Sequence, residues 1–134
     1  RLIIGKADFD GIKGQDDPFG PWRKADARVT TTEGDLDIFG DGSVVAYFLP
    51  GHTPGHMALL VRLKSGPVLL SGDVAHVHDT LALKAVPTFN TDCAQSIASM
   101  ERFERLAKET GAKVIIQHEL QDVAKLPAFP AAAE

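Results

Sequence analysis

The chain has 134 residues and a mass of 14.4 kDa, which suits one modest domain and is too short for two. Hydrophobic residues make up 44% and charged residues 24%, so the composition is that of a soluble globular protein and excludes disorder, a coiled coil and a collagen-like repeat. The 18 acidic and 14 basic residues are interspersed and give a net charge of −4, which argues against a nucleic-acid partner. The single cysteine, Cys93, excludes an intrachain disulfide and a multi-cysteine metal site. The longest apolar stretch, residues 44–50, is too short to cross a bilayer.

The N-terminal part combines one short strand with a long irregular segment. The chain begins on an apolar run, Leu2 to Gly5, that predicts a buried strand, with no initiating methionine and no polar lead-in. We therefore expect it to be a fragment of a longer protein. Glycine and proline punctuate residues 6–32, which predicts a long loop with one short helix near residues 7–12.

The middle of the chain predicts a mostly antiparallel sheet. Short β-prone runs recur roughly every dozen residues, and turn residues separate them. The dipeptide Asp41-Gly42 is a strong hairpin signal. The runs cover residues 36–39, 43–49, 57–63 and 67–71.

A helix follows and leads into one more strand. Asp92 and Gln95 form a capping-box pattern, in which the Asp92 carboxylate accepts from the Gln95 amide and the Gln95 side chain reaches back. Apolar residues then recur at helical spacing until Gly111 ends the helix. We expect Cys93, in the first turn, to be packed. Residues 112–116 predict the next strand, and residues 127–134 a loose tail.

Metal-capable side chains follow three of the predicted strands. His52 ends one run, Asp73 the next-but-one, and His118 the last. Strand ends on one rim of a sheet are rigid and close together, and a metal site needs neutral imidazoles and a carboxylate on such a scaffold. His52 also lies in a loop that two glycines and two prolines constrain, residues 50–56. We therefore predict that these three residues are metal ligands.

The other candidates keep two interpretations each. His56 is expected to hydrogen-bond within its loop and steady it rather than to bind metal. His76 and His78 form an HxH pattern that metals use and that also arises by chance; His76 either donates a hydrogen bond to substrate or lies on the surface. Glu119 either supports the neighbouring His118 or is simply solvated.

Three segments in order resemble the metallo-β-lactamase-fold hydrolases. These are PGHTPGH at residues 50–56, LLSGD at 69–73 and IIQH at 115–118. Residues 86–90 and 95–100 resemble the branch that contains N-acyl homoserine lactonases and their esterase and organophosphate-hydrolysing relatives. The resemblance runs from Asp41 to Pro130. It implies an α+β fold, the αββα metallo-β-lactamase-type sandwich, of which residues 1–134 are the C-terminal portion of a single domain.

The resemblance also implies roles for individual residues. His52 and His118 match metal-binding histidines, and Asp73 matches the aspartate that bridges two Zn²⁺ ions. His76 stands where the lactonases have a tyrosine that contacts the substrate carbonyl, a departure that favours the esterase or phosphotriesterase-like relatives. In such an enzyme a hydroxide between the metals attacks a lactone or ester, and His76 stabilises the developing charge.

One signature of these hydrolases, HxHxDH, is missing from the chain. The segment from His76 to Asp79 cannot replace it, because it follows Asp73 and has the wrong spacing. We expect the signature to lie upstream of Arg1 in a longer parent. Two protein ligands then remain for each metal, counting Asp73 twice, so metal affinity should fall steeply and the chain alone should be inactive.

The implied parent is a dinuclear zinc hydrolase that opens a small-molecule lactone, an acyl homoserine lactone-like substrate in quorum quenching, or cleaves an ester. The alternatives are a phosphotriesterase- or thioesterase-type hydrolase on the same metals, and a non-catalytic metal-binding module. Neither nucleic acid nor a membrane is expected as a partner. The sheet face that the other half of the domain would cover should lead to aggregation or a homodimer.

Overall fold

The computed structural model describes residues 1–14, 17–24, 27–128 and 130–134. In the described residues, seven strands form two sheets, and four helices are interspersed among the strands. The strands are β1 (Leu2–Gly5), β2 (Val29–Thr32), β3 (Leu36–Asp37), β4 (Val44–Phe48), β5 (Met57–Leu63), β6 (Gly66–Leu70) and β7 (Lys113–Ile115). The helices are α1 (Lys6–Gly11), α2 (His78–Ala82), α3 (Cys93–Thr110) and α4 (Leu120–Val123), and a 3-10 turn covers Gly20–Arg23.

The larger sheet has five strands in the order β3-β4-β5-β6-β7. All neighbours are antiparallel except β6 and β7, which run parallel. This confirms the predicted mostly antiparallel sheet. We also predicted a long irregular segment before this sheet. That prediction is wrong in one respect, because Val29–Thr32 forms β2 and pairs in parallel with β1. The sequence VTTT lacks the apolar alternation that marks a half-buried strand, so only the pairing reveals it.

One face of the larger sheet packs against α3. Phe103 and Met100 of the helix lie in the same buried cluster as Leu60 and Leu69 of the sheet, and the exposed fraction of each is 1% or less. This burial stabilises the chain, since removing a large buried aromatic side chain costs about 3–5 kcal/mol.

The start of α3 differs from its prediction in two details. The Asp92 carboxylate accepts from the backbone N–H of Gln95 at 2.8 Å, as predicted. The Gln95 side chain does not reach back to the Asp92 N–H, which donates to the Gly51 carbonyl, and contacts the Asp92 carboxylate instead. The prediction that Cys93 is packed is wrong. Cys93 is exposed, since the buried face of the helix passes through Ser96, Ser99 and positions further along.

The opposite sheet face is apolar and only partly covered. Paired neighbours in the sheet point the same way, so Leu59, Leu70, Val61 and Val68 share this face, and each is half-buried. Leu126 and Ala133 of the C-terminal tail lie against part of it. None of the helices in the described part of the chain is long and apolar enough to cross a membrane.

Candidate metal centre

The three predicted ligands lie at one edge of the larger sheet. The end of β4 pairs with the start of β5, and the end of β6 pairs with both the start of β5 and the end of β7. The loops after β4, β6 and β7 therefore leave the sheet on the same side. These loops carry His52, Asp73 and His118.

The two oxygens of the Asp73 carboxylate face different imidazoles. Oδ1 lies 2.8 Å from Nε2 of His118, and Oδ2 lies 3.5 Å from Nε2 of His52. Burial raises the pKa of Asp73, but the hydrogen bond from His118 and the neighbouring histidines outweigh it and leave the pKa below its ordinary value. The group is a carboxylate at neutral pH, with one oxygen available on each side.

A chain of hydrogen bonds from α3 determines which nitrogen of His52 carries the proton. The Ser96 hydroxyl donates to the Asp92 carbonyl at 2.7 Å, so its oxygen accepts from Nδ2 of Asn90 at 2.9 Å. That contact turns Oδ1 of Asn90 toward Nδ1 of His52, 3.0 Å away. A carbonyl oxygen can only accept, so Nδ1 carries the proton and Nε2 keeps its lone pair on the Asp73 side. Sequence reasoning missed this role of Asn90.

The glycine before His52 permits this contact with α3. Gly51 has a φ of +134°, and a Cβ there would overlap the backbone nitrogen of Ser96. On the other side of the loop, Asp8 of α1 accepts from the Gly55 amide at 2.7 Å and from the Thr53 hydroxyl at 2.6 Å. The loop is therefore held from both ends. No local sequence pattern marks Asp8 for this role, since it lies 45 residues from Thr53.

His56 joins the loop to Asp73, and both of its ring nitrogens bond residues outside the loop rather than within it. Its Nδ1 donates to the Leu49 carbonyl at 2.9 Å, and its Nε2 accepts from the Asp73 amide at 2.7 Å. Burial lowers the pKa of His56, which keeps the ring neutral and suits both contacts. Gly72 has a φ of +54°, and a Cβ there would approach Nε2 of His56 to 2.6 Å.

His76 lies at the centre, whereas His78 does not. One potential ligand atom from each of Asp73, His76 and His118 lies within 4.8 Å of the other two. The rings of His76 and His118 stack with centroids 5.0 Å apart. His78 instead places Nε2 3.0 Å from Oδ2 of Asp122, so the two histidines of the HxH pattern do not share a site.

Asp122 and Phe89 complete the surroundings, and neither was singled out from the sequence. Asp122 is fully buried and accepts from the Ile116 amide at 2.9 Å, which ties α4 to the strand end before His118. Phe89 is 68% exposed, and its ring edge meets the rings of His52 and His76 at centroid distances of 5.9 and 5.7 Å. An apolar surface therefore borders the polar cluster.

Glu119 contributes to α4 through its backbone. Its N–H donates to the Ile116 carbonyl at 3.0 Å, and its own carbonyl accepts from the Asp122 amide at 3.0 Å. These contacts turn the chain immediately after His118.

The donor set fits a divalent metal. Imidazole nitrogens and carboxylate oxygens are the ligands that Zn²⁺ takes in catalytic sites, and hydrogen bonds hold the ligand residues from behind. His52 meets both conditions, since Nε2 is free of a proton and Nδ1 is bonded to Asn90. The Asp73 carboxylate supplies the negative charge.

Comparison with known proteins decides the family. Residues 5–118 match the metallo-beta-lactamase superfamily. The chain belongs to that superfamily. The match covers all three predicted strand-end ligands, and the predicted resemblance to this family is confirmed.

The relatives include proteins named N-acyl homoserine lactonase. The chain is 43% identical over 84 residues to AttM of Azorhizobium caulinodans, which is 62% of this chain and 32% of that protein. It is 25% identical over 130 residues to an N-acyl homoserine lactonase of a Bacillus species, which is 96% of this chain and 51% of that protein. The chain thus spans about half or less of the length of the relatives it matches.

Solved structures confirm the predicted fold. A variant of B. thuringiensis AiiA with N-decanoyl-L-homoserine at its active site matches with a TM-score of 0.79 and 19% identity, over 96% of this chain and 51% of that chain. AidC, a dizinc quorum-quenching lactonase, matches with a TM-score of 0.61 and 16% identity, over 88% of this chain and 47% of that chain. The chain therefore has the metallo-β-lactamase fold over about half the length of these proteins.

Proposed function

We propose that residues 1–134 are the C-terminal portion of a single domain in a metal-dependent hydrolase that opens a lactone or cleaves an ester. The observation that carries the proposal is the division of the Asp73 carboxylate, whose two oxygens face Nε2 of His118 and Nε2 of His52. A carboxylate placed between two imidazoles suits a pair of cations held about 3.5–4 Å apart. The lactonase names of the relatives supply the substrate class, an acyl homoserine lactone-like molecule.

Each residue then has a defined task. His52 and Asp73 would hold one Zn²⁺ ion, and Asp73 and His118 the other. When bound, such ions act as Lewis acids and make water a nucleophile at neutral pH. His76 faces the reacting group and stabilises the oxygen on which charge develops, and the ring of Phe89 offers an apolar surface to the rest of the substrate.

The remaining ligands belong to the HxHxDH signature, which we place upstream of this chain in the parent. Two protein ligands for each of two ions fall short of the four donors that zinc sites ordinarily use. The chain alone is therefore inactive as a two-ion hydrolase, and joining it to the upstream segment restores activity.

Replacing the shared carboxylate tests the proposal. In the chain joined to its upstream coding sequence, Asp73→Ala should abolish turnover of an acyl homoserine lactone, because both ions lose a ligand at once. The matched control is Asp79→Asn, which removes an exposed charge six residues away. Substantial turnover by Asp73→Ala, with the control unchanged, would contradict the shared role.

His76 supports a second candidate reaction. The lactonases that this chain resembles have a tyrosine at the position of His76. An imidazole in place of that phenol changes the group that contacts the substrate, which favours aryl esters, thioesters or phosphotriesters over lactones. Side-by-side kcat/KM values on a small lactone, an aryl ester, a thioester and a phosphotriester decide between them. Metal binding without turnover of any of the four would point to a non-catalytic module.

A further inference from the structure

Asp73, His76 and His118 each bring one potential ligand atom to a single cluster at the end of the larger sheet. We infer that Asp73, His76 and His118 together bind one divalent cation in the chain on its own. The inference rests on the proposed metal dependence and revises the expectation that metal affinity falls steeply without the upstream signature.

The geometry of the three donors carries this inference. One atom from each lies within 4.8 Å of the other two, whereas ligands of a tetrahedral zinc ion lie about 3.3 Å apart. Oδ1 of Asp73 and Nε2 of His118 share a hydrogen bond at 2.8 Å, so an ion would replace the proton between them and would be met by the nearby donor atom of His76. Three protein donors with water in the fourth position is the arrangement of catalytic zinc sites.

Hydrogen bonds hold the backbone at Asp73 and just before His118. The Asp73 amide donates to Nε2 of His56, which the Leu49 carbonyl holds in turn. His118 follows a strand end that the buried Asp122 fixes through the Ile116 amide. Donors held in this way lose little conformational freedom when an ion binds, which favours affinity.

His52 belongs to a different side of the carboxylate. Its Nε2 faces Oδ2 rather than Oδ1, at 3.5 Å. The one-ion site therefore consists of Asp73, His76 and His118. In the two-ion site, His52 instead joins Asp73 in holding the second cation. The same nitrogen of His76 cannot both coordinate an ion and contact substrate, so we assign coordination to the chain without its upstream ligands and substrate contact to the completed site.

Metal titration of the 134-residue chain tests the inference without any enzymatic assay. Calorimetry with Zn²⁺ should give one ion per chain, and Co²⁺ should give visible absorption bands of a nitrogen- and oxygen-bound ion. His76→Asn and His118→Asn should each weaken binding by more than about tenfold, since each removes a donor. His52→Asn should change the affinity by less than about threefold.

His78→Asn is the matched control, since it alters a histidine of the same segment that faces Asp122 instead. Circular dichroism of each variant separates lost binding from lost folding; where the metal itself induces folding, dependence of that folding on His76 supports the inference equally. Loss of binding in His52→Asn but not in His76→Asn would overturn it, as would the absence of any binding. Neither result affects the hydrolysis proposed for the joined protein, which Asp73→Ala tests separately.

Discussion

At the scale of single residues, the position of a proton on His52 depends on a side chain 38 residues away. Asn90 accepts from Nδ1 of His52 because Ser96 holds its amide group in one orientation. A free imidazole exchanges its proton between the two nitrogens, and a metal requires the one on its own side to be unprotonated. Asn90 is thus a positioning residue.

Removing Asn90 should therefore reduce metal binding without unfolding the chain. In the proposed parent protein, Asn90→Ala should weaken binding of the ion that we assign to His52 by about 10- to 100-fold. Nitrogen NMR of the imidazoles should also show a share of His52 protonated on Nε2, which a merely structural defect would not produce. The control is Gln95→Ala, which alters an exposed residue next to Ser96 in α3. An unchanged His52 tautomer in Asn90→Ala would refute the role of the amide.

The sequence identified the strand-end residues more readily than their supports. His52, Asp73 and His118 each follow an apolar run, and that local pattern can be read without a structure. Asn90 and Asp8 act over tens of residues through hydrogen bonds, and no local spacing marks such contacts. The HxH pattern left two interpretations open, and the structure distinguishes them, since His76 lies in the cluster and His78 contacts Asp122.

At the scale of elements, Asp122 connects α4 to the chain just after β7, through the Ile116 amide, and to His78, the first residue of α2. Burial raises the pKa of Asp122, but hydrogen bonds from Lys125, from the Ile116 amide and from His78 outweigh it and lower the pKa to about 2. The ordinary value is higher, so the folded chain binds fewer protons here than the unfolded chain. The stability contributed by Asp122 is complete above its ordinary pKa and is lost as the pH falls toward about 2.

Acid unfolding should show this contribution. Asp122→Asn should lower the urea midpoint at neutral pH, because the Lys125 ammonium loses its counter-ion, and the difference from the unaltered chain should shrink as the pH falls from about 5 to about 2. The measurement is urea unfolding followed by circular dichroism at several pH values. Asp79→Asn serves as the control, and a difference that stays constant over this range would contradict the assignment.

At the scale of the whole molecule, the larger sheet has one face packed by α3 and one face that is only partly covered. Leu59, Val61, Val68 and Leu70 form a continuous apolar surface, with part of the tail against it. Apolar patches of this kind on a sheet usually mark contact with another protein or another part of the same domain. We expect that surface to be buried in the proposed parent protein.

The isolated chain should therefore self-associate. Sedimentation velocity should show a weight-average mass that rises with concentration, and Val61→Lys should reduce the rise by placing a charge in the apolar face. Arg62→Glu alters the neighbouring residue on the other face and should have little effect. A monomer at all concentrations would show that the tail already covers enough of this surface.

Some of the strands and helices could be predicted from the sequence, and others could not. The strands β4, β5, β6 and β7 and the long helix α3 were predicted because apolar periodicity and turn residues mark them. The parallel pair β1 and β2 was not, since its second strand is short and polar. Burial of Cys93 was predicted incorrectly because position within a helix turn, not residue type, decides which side faces the core.

The parallel contact between β6 and β7 has a kinetic consequence. After Leu70 the chain runs through α2 and α3 before Lys113 returns to the neighbouring position in the sheet. Contacts between distant parts of a chain form slowly, because a long loop must close before any contact is made. Asp73 and His118 meet only after this closure, so we expect a bound ion to retard unfolding while leaving the rate of folding unchanged.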